Sequence, residues 1–209
     1  TNRALLTGVN QVSSSVNINS NFPNESLSGM FNYGRSFARY FKANGGASLS
    51  WNKNNNIRVN PDNSEFIQNT ENYIQNYNIG FSTNLKNLPN IDLSYNYSIS
   101  DSQVQTFYVD NPSITLEYFF LDAFSFTSEY SFYHNRNKAK TIDTEYDFLT
   151  ASFSYQKKDS KLEYKLSATN LLNTTSLNDS SFNALGGSTN FSSYYVQPRY
   201  IILSLKYNL

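Results

Sequence analysis

Residues Ile91-Asp92-Leu93-Ser94-Tyr95-Asn96-Tyr97-Ser98-Ile99-Ser100 alternate apolar and polar without an error. A helix cannot use that order, because its faces recur every 3.6 residues. A strand can, because successive side chains leave opposite sides of the backbone. The pattern recurs along the chain. Phe41, Ala43, Ala47, Leu49 and Trp51 interleave with Lys42, Asn44, Ser48, Ser50 and Asn52. Phe124, Phe126, Tyr130 and Phe132 interleave with Ser125, Thr127, Glu129 and Ser131, and Leu162, Tyr164, Leu166 and Ala168 with Lys161, Glu163, Lys165 and Ser167. Each window has one oily and one wet face, and helical spacing is absent. The expected fold class is all-β and antiparallel.

Turn signals divide the chain into about ten strands, placed at 9–20, 26–36, 40–52, 72–86, 91–101, 112–121, 123–134, 144–156, 160–170 and 194–209. Tight connections are expected near Arg39, at Lys86–Asn90, at Leu121–Asp122 and at Lys157–Ser160. Longer polar loops are expected at Asn52–Glu71, Asp101–Asn111, His134–Asp143 and Leu171–Ser193, with the short Asn21–Glu25 as the exception. Short and long links thus alternate, placing the long ones at one end. No internal boundary or repeat stands out, so 1–209 reads as a single unit.

Composition decides what covers the oily faces. Tyr and Phe number 17 and 16, only 15% of residues are charged, and the mean hydropathy is −0.54. Asn and Ser supply the polarity. The 16 basic and 16 acidic side chains cancel, which excludes nucleic-acid binding through a basic field. With no Cys, and with His134 and Met30 as the single His and Met, thiolate chemistry and a zinc centre are excluded. The longest apolar runs, such as Tyr118–Leu121, fall far short of the roughly 20 residues of a spanning helix. Strands of a soluble sandwich are usually about 5–6 residues long. A membrane-spanning strand needs about 9–11, with an apolar outer face, a polar lumen and aromatic belts at both interfaces. The windows above match the second description, a transmembrane up-and-down β-barrel.

At the C-terminus Ile201, Leu203, Leu205, Tyr207 and Leu209 occupy every second position. This amphipathic ending resembles the insertion signal of bacterial outer-membrane barrels, which implies recognition by the barrel assembly machinery. Counting ten strands back from a periplasmic last strand places both termini in the periplasm. Ala168-Thr169-Asn170-Leu171-Leu172-Asn173, a polar loop, and then Gln197-Pro198-Arg199 opening the last strand resemble the end of TonB-dependent receptor barrels of Bacteroidota. The match covers the last 45 residues or so; upstream, strand rhythm and composition support it. The resemblance implies a barrel of about 22 strands closed by a plug, which imports siderophores, cobalamin, glycans or peptides with energy delivered by TonB. A surface lipoprotein accompanies some such receptors. This chain carries about half of those strands and no plug, so it is expected to be the C-terminal barrel portion. The alternative is a complete small barrel of ten strands acting as a pore, adhesin or surface enzyme.

Physical chemistry gives the motif residues roles. Asn170 and Asn173 suit side-chain-to-backbone turns where the strand leaves the membrane. Pro198 lacks an N–H and belongs near a strand start or bulge. Arg199 suits interfacial snorkelling. His134 and Asp143 are the one pairing with catalytic potential, a His–Asp couple at an outer rim as in omptin-type barrel proteases. The neighbours Asn135, Arg136 and Asn137 favour an ordinary loop residue, and no enzyme activity is expected.

Other groups are expected to be structural. Glu117, Glu129, Glu163 and Asp92 share the lumen face with Lys42, Lys165 and Lys206, and together with Lys161 would form a gridwork of ion pairs. Asp101-Ser102-Gln103 and Asn178-Asp179 offer too few oxygens for calcium. Gly45-Gly46 and Gly186-Gly187 are isolated pairs, the first a site of curvature or close approach. No cofactor or metal is expected. Phe66, Tyr73, Phe107, Tyr108, Phe182, Phe191, Tyr194 and Tyr195 lie near the outer ends, as girdle residues before substrate platforms.

Overall fold

A computed structural model of the chain describes residues 2–5, 14–17, 23–60, 62–183 and 188–207. Every regular element in it is a strand: β1 (Asn2–Leu5), β2 (Ser14–Asn17), β3 (Glu25–Phe37), β4 (Phe41–Val59), β5 (Glu65–Thr83), β6 (Asn90–Ser102), β7 (Thr106–Phe120), β8 (Phe124–Asn137), β9 (Asp143–Tyr155), β10 (Leu162–Thr169), β11 (Ser176–Asn183), β12 (Ser188–Tyr195) and β13 (Tyr200–Tyr207). β3 to β10 form an antiparallel up-and-down meander, and β13 adds beside β10. Among the described residues the sheet is open. β3 pairs only with β4, and β13 only with β10.

The turns at 38–40 and 121–123 are tight, as their sequences suggest. Ala38 and Arg39, and likewise Leu121 and Asp122, have positive φ. Such pairs give a turn the twist of the flanking strands, a conformation that usually selects Asn-Gly. Strand pairing on both sides here imposes it on ordinary residues. These turns and the connections at 84–89 and 156–161 define one end of the sheet, the turn end. The opposite, loop end holds 60–64, 103–105, 138–142 and 170–199.

Three expectations need correction. Most of the long loops are strand. β4 and β5 each run 19 residues and pair down to Val59↔Glu65, and β7 begins at Thr106 rather than 112. Asn-rich sequence reads as turn, but a ladder needs only backbone N–H and C=O groups, which Asn54, Asn55 and Asn56 supply as well as Val does. Among the described connections only 170–199 is long, and it contains the hairpin β11–β12. The expected last strand 194–209 is split, because residues 196–199, including Pro198, separate β12 from β13. Finally, the expected strand 9–20 does not lie beside β3. Its described part, β2, pairs with β1, and β1 runs parallel to β4 at Ile57–Val59. Pro23 ends the β3 edge: Asn55 N donates to Asn24 Oδ1 at 3.0 Å and Asn55 Nδ2 to Pro23 O at 2.7 Å, side chain replacing ladder. β1 therefore lies at the loop end and Tyr207 at the turn end, so the two do not share a side. Residues 9–13 and 18–20, Gly186-Gly187 and Leu209 lie outside the described residues, as does the side chain of Phe182.

Register assigns every side chain to a face. One carries Leu27, Phe31, Leu49, Trp51, Ile79, Phe81, Leu93, Ile114, Phe126, Phe153, Leu166, Leu203 and their neighbours across the ladders. The other carries Ser48, Asn76, Asn78, Asn96, Ser98, Ser113, Glu129, Ser152 and Lys165. Among the described residues nothing packs on the apolar face: Ile79 is 63% exposed and Leu203 75%.

Candidate functional site

The apolar face ends in aromatic rings on both sides. At the turn end Phe41 stacks on Phe81 at 6.0 Å, Phe120 on Tyr118 and Phe124 at 5.0 and 5.4 Å, and Phe124 meets Tyr155 at 4.7 Å. Towards the loop end Tyr77, Tyr97 and Tyr95 stack in turn at 6.5 and 6.4 Å. Offset rings with a polar tip suit a boundary that is oily on one side and wet on the other.

Just beyond the tyrosines the same face turns ionic. Tyr95 Oη donates to Asp110 Oδ1 at 2.5 Å, and Arg136 pairs with Asp110 Oδ2 while lying over the Tyr108 ring at 5.8 Å. Arg136 Nη1 also meets His134 Nδ1 at 3.1 Å, and His134 Nε2 meets Asp143 Oδ1 at 2.6 Å. Arginine only donates, so Nδ1 is the acceptor and the ring proton sits on Nε2. The His134–Asp143 couple noted in the sequence does form. However, both ring nitrogens are committed, leaving no lone pair for a general base. The network orients Asp143 rather than activating a nucleophile.

Two of the expected turn-formers do more than end a strand. Asn170 Nδ2 donates to Thr174 O at 2.8 Å and to Gln197 O at 2.9 Å, while Asn170 Oδ1 accepts from Thr174 N at 2.9 Å. Asn173 Oδ1 accepts from Arg199 N at 3.3 Å. Leu171 N reaches Leu149 O, and Val196 N reaches Thr175 O. The Asn170–Asn173 and Gln197–Arg199 segments, far apart in sequence, are thus one clasp that joins the exit of β10 to the entry of β13 and fixes the stem of the β11–β12 hairpin.

The sequence reading missed the same device at Asn137. Asn137 Oδ1 accepts from Thr141 N and Ile142 N, and Nδ2 donates to Thr141 Oγ1 at 2.7 Å. Lys140 N bonds Asn137 O as Asn173 N bonds Asn170 O, and Lys140 and Asn173 both have positive φ. Lys138 N even reaches the neighbouring strand at Thr106 O, as Leu171 N does at Leu149 O. The shared signal is Asn-x-x-x-Thr. Asn60 to Ser64 is a third, exposed version, with Asn63 N bonded to Asn60 O. Asn137 and Asn170 are each only 2% exposed, among the most completely buried side chains of the described residues.

The remaining candidates separate. Ile201, Leu203, Leu205 and Tyr207 lie in one exposed row on the apolar face. Leu172 is exposed at the loop end. Of the expected gridwork Lys206–Glu163 forms, at 3.8 Å, whereas Glu117 and Glu129 make no ion pair among the described residues. Their ladder neighbours are Asn90 and Thr127 for Glu117, and Thr115 and Thr150 for Glu129, with no Lys among them. Gly46 is a point of close approach: an added Cβ would meet Asn32 Oδ1 at 2.0 Å and Asn78 Oδ1 at 2.6 Å. Phe107 is buried, Phe66 sits on the polar face, Tyr73 and Tyr108 on the apolar face. Phe191, Tyr194 and Tyr195 stand exposed on the hairpin. The described residues contain no group of His, Cys, Asp and Glu able to hold a metal ion.

No family model matches the sequence. No curated protein matches it. A solved structure similar to this chain is "OmpT (in-vitro folded), an outer membrane protein of Vibrio cholerae", with a TM-score of 0.49 and 10% identity. The match covers 87% of this chain and 55% of that one, so this chain spans little more than half its length.

Proposed function

We propose that these strands form part of an outer-membrane β-barrel, and that the whole protein is a TonB-dependent receptor of which this is the C-terminal barrel portion. The observation that carries the membrane reading is the continuous, uncovered apolar face with aromatic belts at both ends. Exposing Leu, Ile and Phe to water across a whole sheet is strongly unfavourable, at roughly 25 cal/mol per Å². Facing lipid, the same surface costs nothing, and the Ser- and Asn-lined face turns to a water-filled lumen. Every backbone polar group within the bilayer must be satisfied, so the open β3 and β13 edges need further strands to close the barrel.

The receptor reading is supported by the clasp. Asn170, Leu171, Leu172 and Asn173 with Gln197, Pro198 and Arg199 are the residues that carry the resemblance, and Asn170 and Asn173 tie the two segments together through the backbone of Gln197 and Arg199. In this reading the protein takes up nutrients across the outer membrane of a Gram-negative bacterium of the Bacteroidota, with the turn end periplasmic. Its partners are the barrel assembly machinery during insertion, TonB through a plug elsewhere in the protein, and a surface lipoprotein at the loop end. Intact-mass measurement on protein extracted from outer membranes tests this. The expected mass is several-fold above 23.9 kDa. A mass of 23.9 kDa in wild-type cells would sink the receptor and leave a small self-closed barrel.

A further inference from the structure

The apolar face is not flat. A groove of about 500 Å³ crosses β5 to β8, lined by Ile79, Leu93, Tyr95, Pro112, Ile114 and Tyr130 among others. Pro112 helps to open it. Its ring is compact beside Tyr95, its ladder neighbour, and pairing with β8 lapses at 111–112. The two tyrosines are tethered. Tyr95 Oη donates to Asp110 Oδ1 at 2.5 Å, and Tyr130 Oη to Asp147 Oδ2 at 3.4 Å. Each carboxylate lies one step nearer the loop end than the ladder neighbour of its tyrosine, Pro112 for Tyr95 and Leu149 for Tyr130. Both rings therefore lean the same way and frame the groove before any ligand arrives, which lowers the ordering cost of binding.

The size of the groove is that of a small-molecule site, well short of a protein interface. Its lining is apolar, and it lies on the face that the membrane reading turns to lipid, so its natural occupant is an acyl chain. A chain leaving the bilayer core for such a groove gains no hydrophobic energy, because lipid tails are already apolar. Selection has to come from the mouth. There Asp110, Asp147 and Glu145 share the face with Arg136 and His134. Arg136 is paired with Asp110, and the His134 ring accepts from Arg136 as a neutral group. Lys138 and Lys140 stand roughly 20 Å beyond the level of Asp147 along the strands. Asp147 and Glu145 are thus left unneutralised beside the groove, at a boundary where charges are screened less than in bulk water. That mouth repels an anionic headgroup and attracts an ammonium.

We infer that this groove holds one acyl chain of a phospholipid with a cationic amine headgroup, the chain lying between Tyr95 and Tyr130 and the ammonium donating to Asp147 and Glu145. The inference rests on the membrane reading and goes beyond it, since bulk lipid would wet the whole face without preference. The test uses the whole protein extracted from outer membranes and reconstituted in vesicles of equal phosphatidylethanolamine and phosphatidylglycerol. Native mass spectrometry of the released protein then identifies the lipid it retains. Phosphatidylethanolamine is expected to exceed phosphatidylglycerol about fivefold or more. Leu93→Trp, which fills the groove, is expected to lose the retained lipid. Leu166→Trp, on the same face but away from the groove, is expected to behave as wild type, and circular dichroism checks that both are folded. Asp147→Asn keeps an acceptor for Tyr130 and is expected to retain a lipid while losing the preference between the two. Retention of no lipid, equal retention of both, preference for phosphatidylglycerol, or an unchanged preference in either Leu93→Trp or Asp147→Asn overturns the inference. The membrane reading fails by a different result, recovery of the protein outside the outer-membrane fraction.

Discussion

Ile114 and Thr115 are adjacent in β7 and stand on opposite faces of the sheet. Ile114 stands between Leu93 and Tyr130, Thr115 between Asp92 and Glu129. The same contrast repeats along each strand of the meander, and among the described residues neither face has a covering layer. Two uncovered faces of opposite polarity are what a wall between lipid and water requires, whereas a sandwich would bury one of them. The fold is therefore defined less by a core than by the opposite polarity of its two faces. Among the described residues the buried hydrophobic side chains are only Phe107 and Ile142.

Swapping a charge between the faces is the strongest way to break this contrast. Ile114→Lys is expected to destabilise the protein in lipid vesicles by ~2–4 kcal/mol, the cost of a lipid-facing Lys near the midplane. Thr115→Lys, placed between two carboxylates, is expected to change stability by less than about 0.5 kcal/mol. Equilibrium unfolding by denaturant in vesicles measures both. Equal effects would refute the assignment of faces.

The next test sits where the apolar face ends. Arg136→Met leaves Asp110 without its cation, although Tyr95 still donates to it. A loss of about 1–2 kcal/mol is expected, given the partial exposure of the pair. Adding Asp110→Asn removes the orphaned charge, so the double variant is expected to recover most of that loss. A double variant no better than Arg136→Met would mean that packing of Arg136 on Tyr108 matters more than the charge.

How much of this was legible beforehand follows from what side chains can encode. Alternation fixes which way each residue points, so the faces, the meander and the turns at Arg39 and Leu121–Asp122 could be read directly. Strand ends could not, because the ladder is made by backbone groups that Asn54–Asn56 carry without advertising it. Pro112 is a second case. It lies inside β7, where pairing with β8 lapses between Asp110↔His134 and Ser113↔Ser131, but the strand continues because β6 still pairs at Tyr95. In the candidate site, Asn170 and Asn173 were visible by resemblance. Asn137 was not, yet its spacing to Thr141 repeats that of Asn170 to Thr174. The clasp itself joins Asn170 to Gln197 and Asn173 to Arg199 across a whole hairpin, a juxtaposition that no local pattern contains.

A smaller effect separates two neighbouring glycines on opposite faces. On the apolar face a Cβ at Gly45 meets nothing closer than Asn78 O at 3.5 Å, an ordinary contact. Gly45→Ala is expected to stabilise by about 0.5 kcal/mol through the lost freedom of the unfolded chain. On the polar face Gly46→Ala would press on Asn32 and Asn78 and also on Phe31 O at 3.0 Å. The amides can swing away but the carbonyl cannot, so a loss of about 1 kcal/mol is expected. The same unfolding assay reads both. A Gly46→Ala variant as stable as wild type would show that the amide row on the polar face is not tightly set.

The smallest effect lies beyond both faces, in the exposed Asn60–Ser64 turn. Asp62 Oδ1 accepts from Ser64 Oγ at 2.6 Å and from Ser64 N at 2.9 Å, and these bonds hold its carboxyl below the usual range. A lowered folded-state pKa means that the bonds stabilise the turn fully above the ordinary carboxylate pKa. That contribution is lost as pH falls through the lowered value. Amide exchange at Ser64 reads it locally: protection is expected to hold at neutral pH, fall in acid, and be absent at all pH values in Asp62→Ala. Asn137 and Asn170 close their related turns with neutral amides, so exchange at Thr141 and Thr174, whose N–H groups they bind, is expected to keep its protection through the same acid range. If Thr141 and Thr174 lose protection together with Ser64, the acid effect belongs to the sheet as a whole and the three turns are not independent.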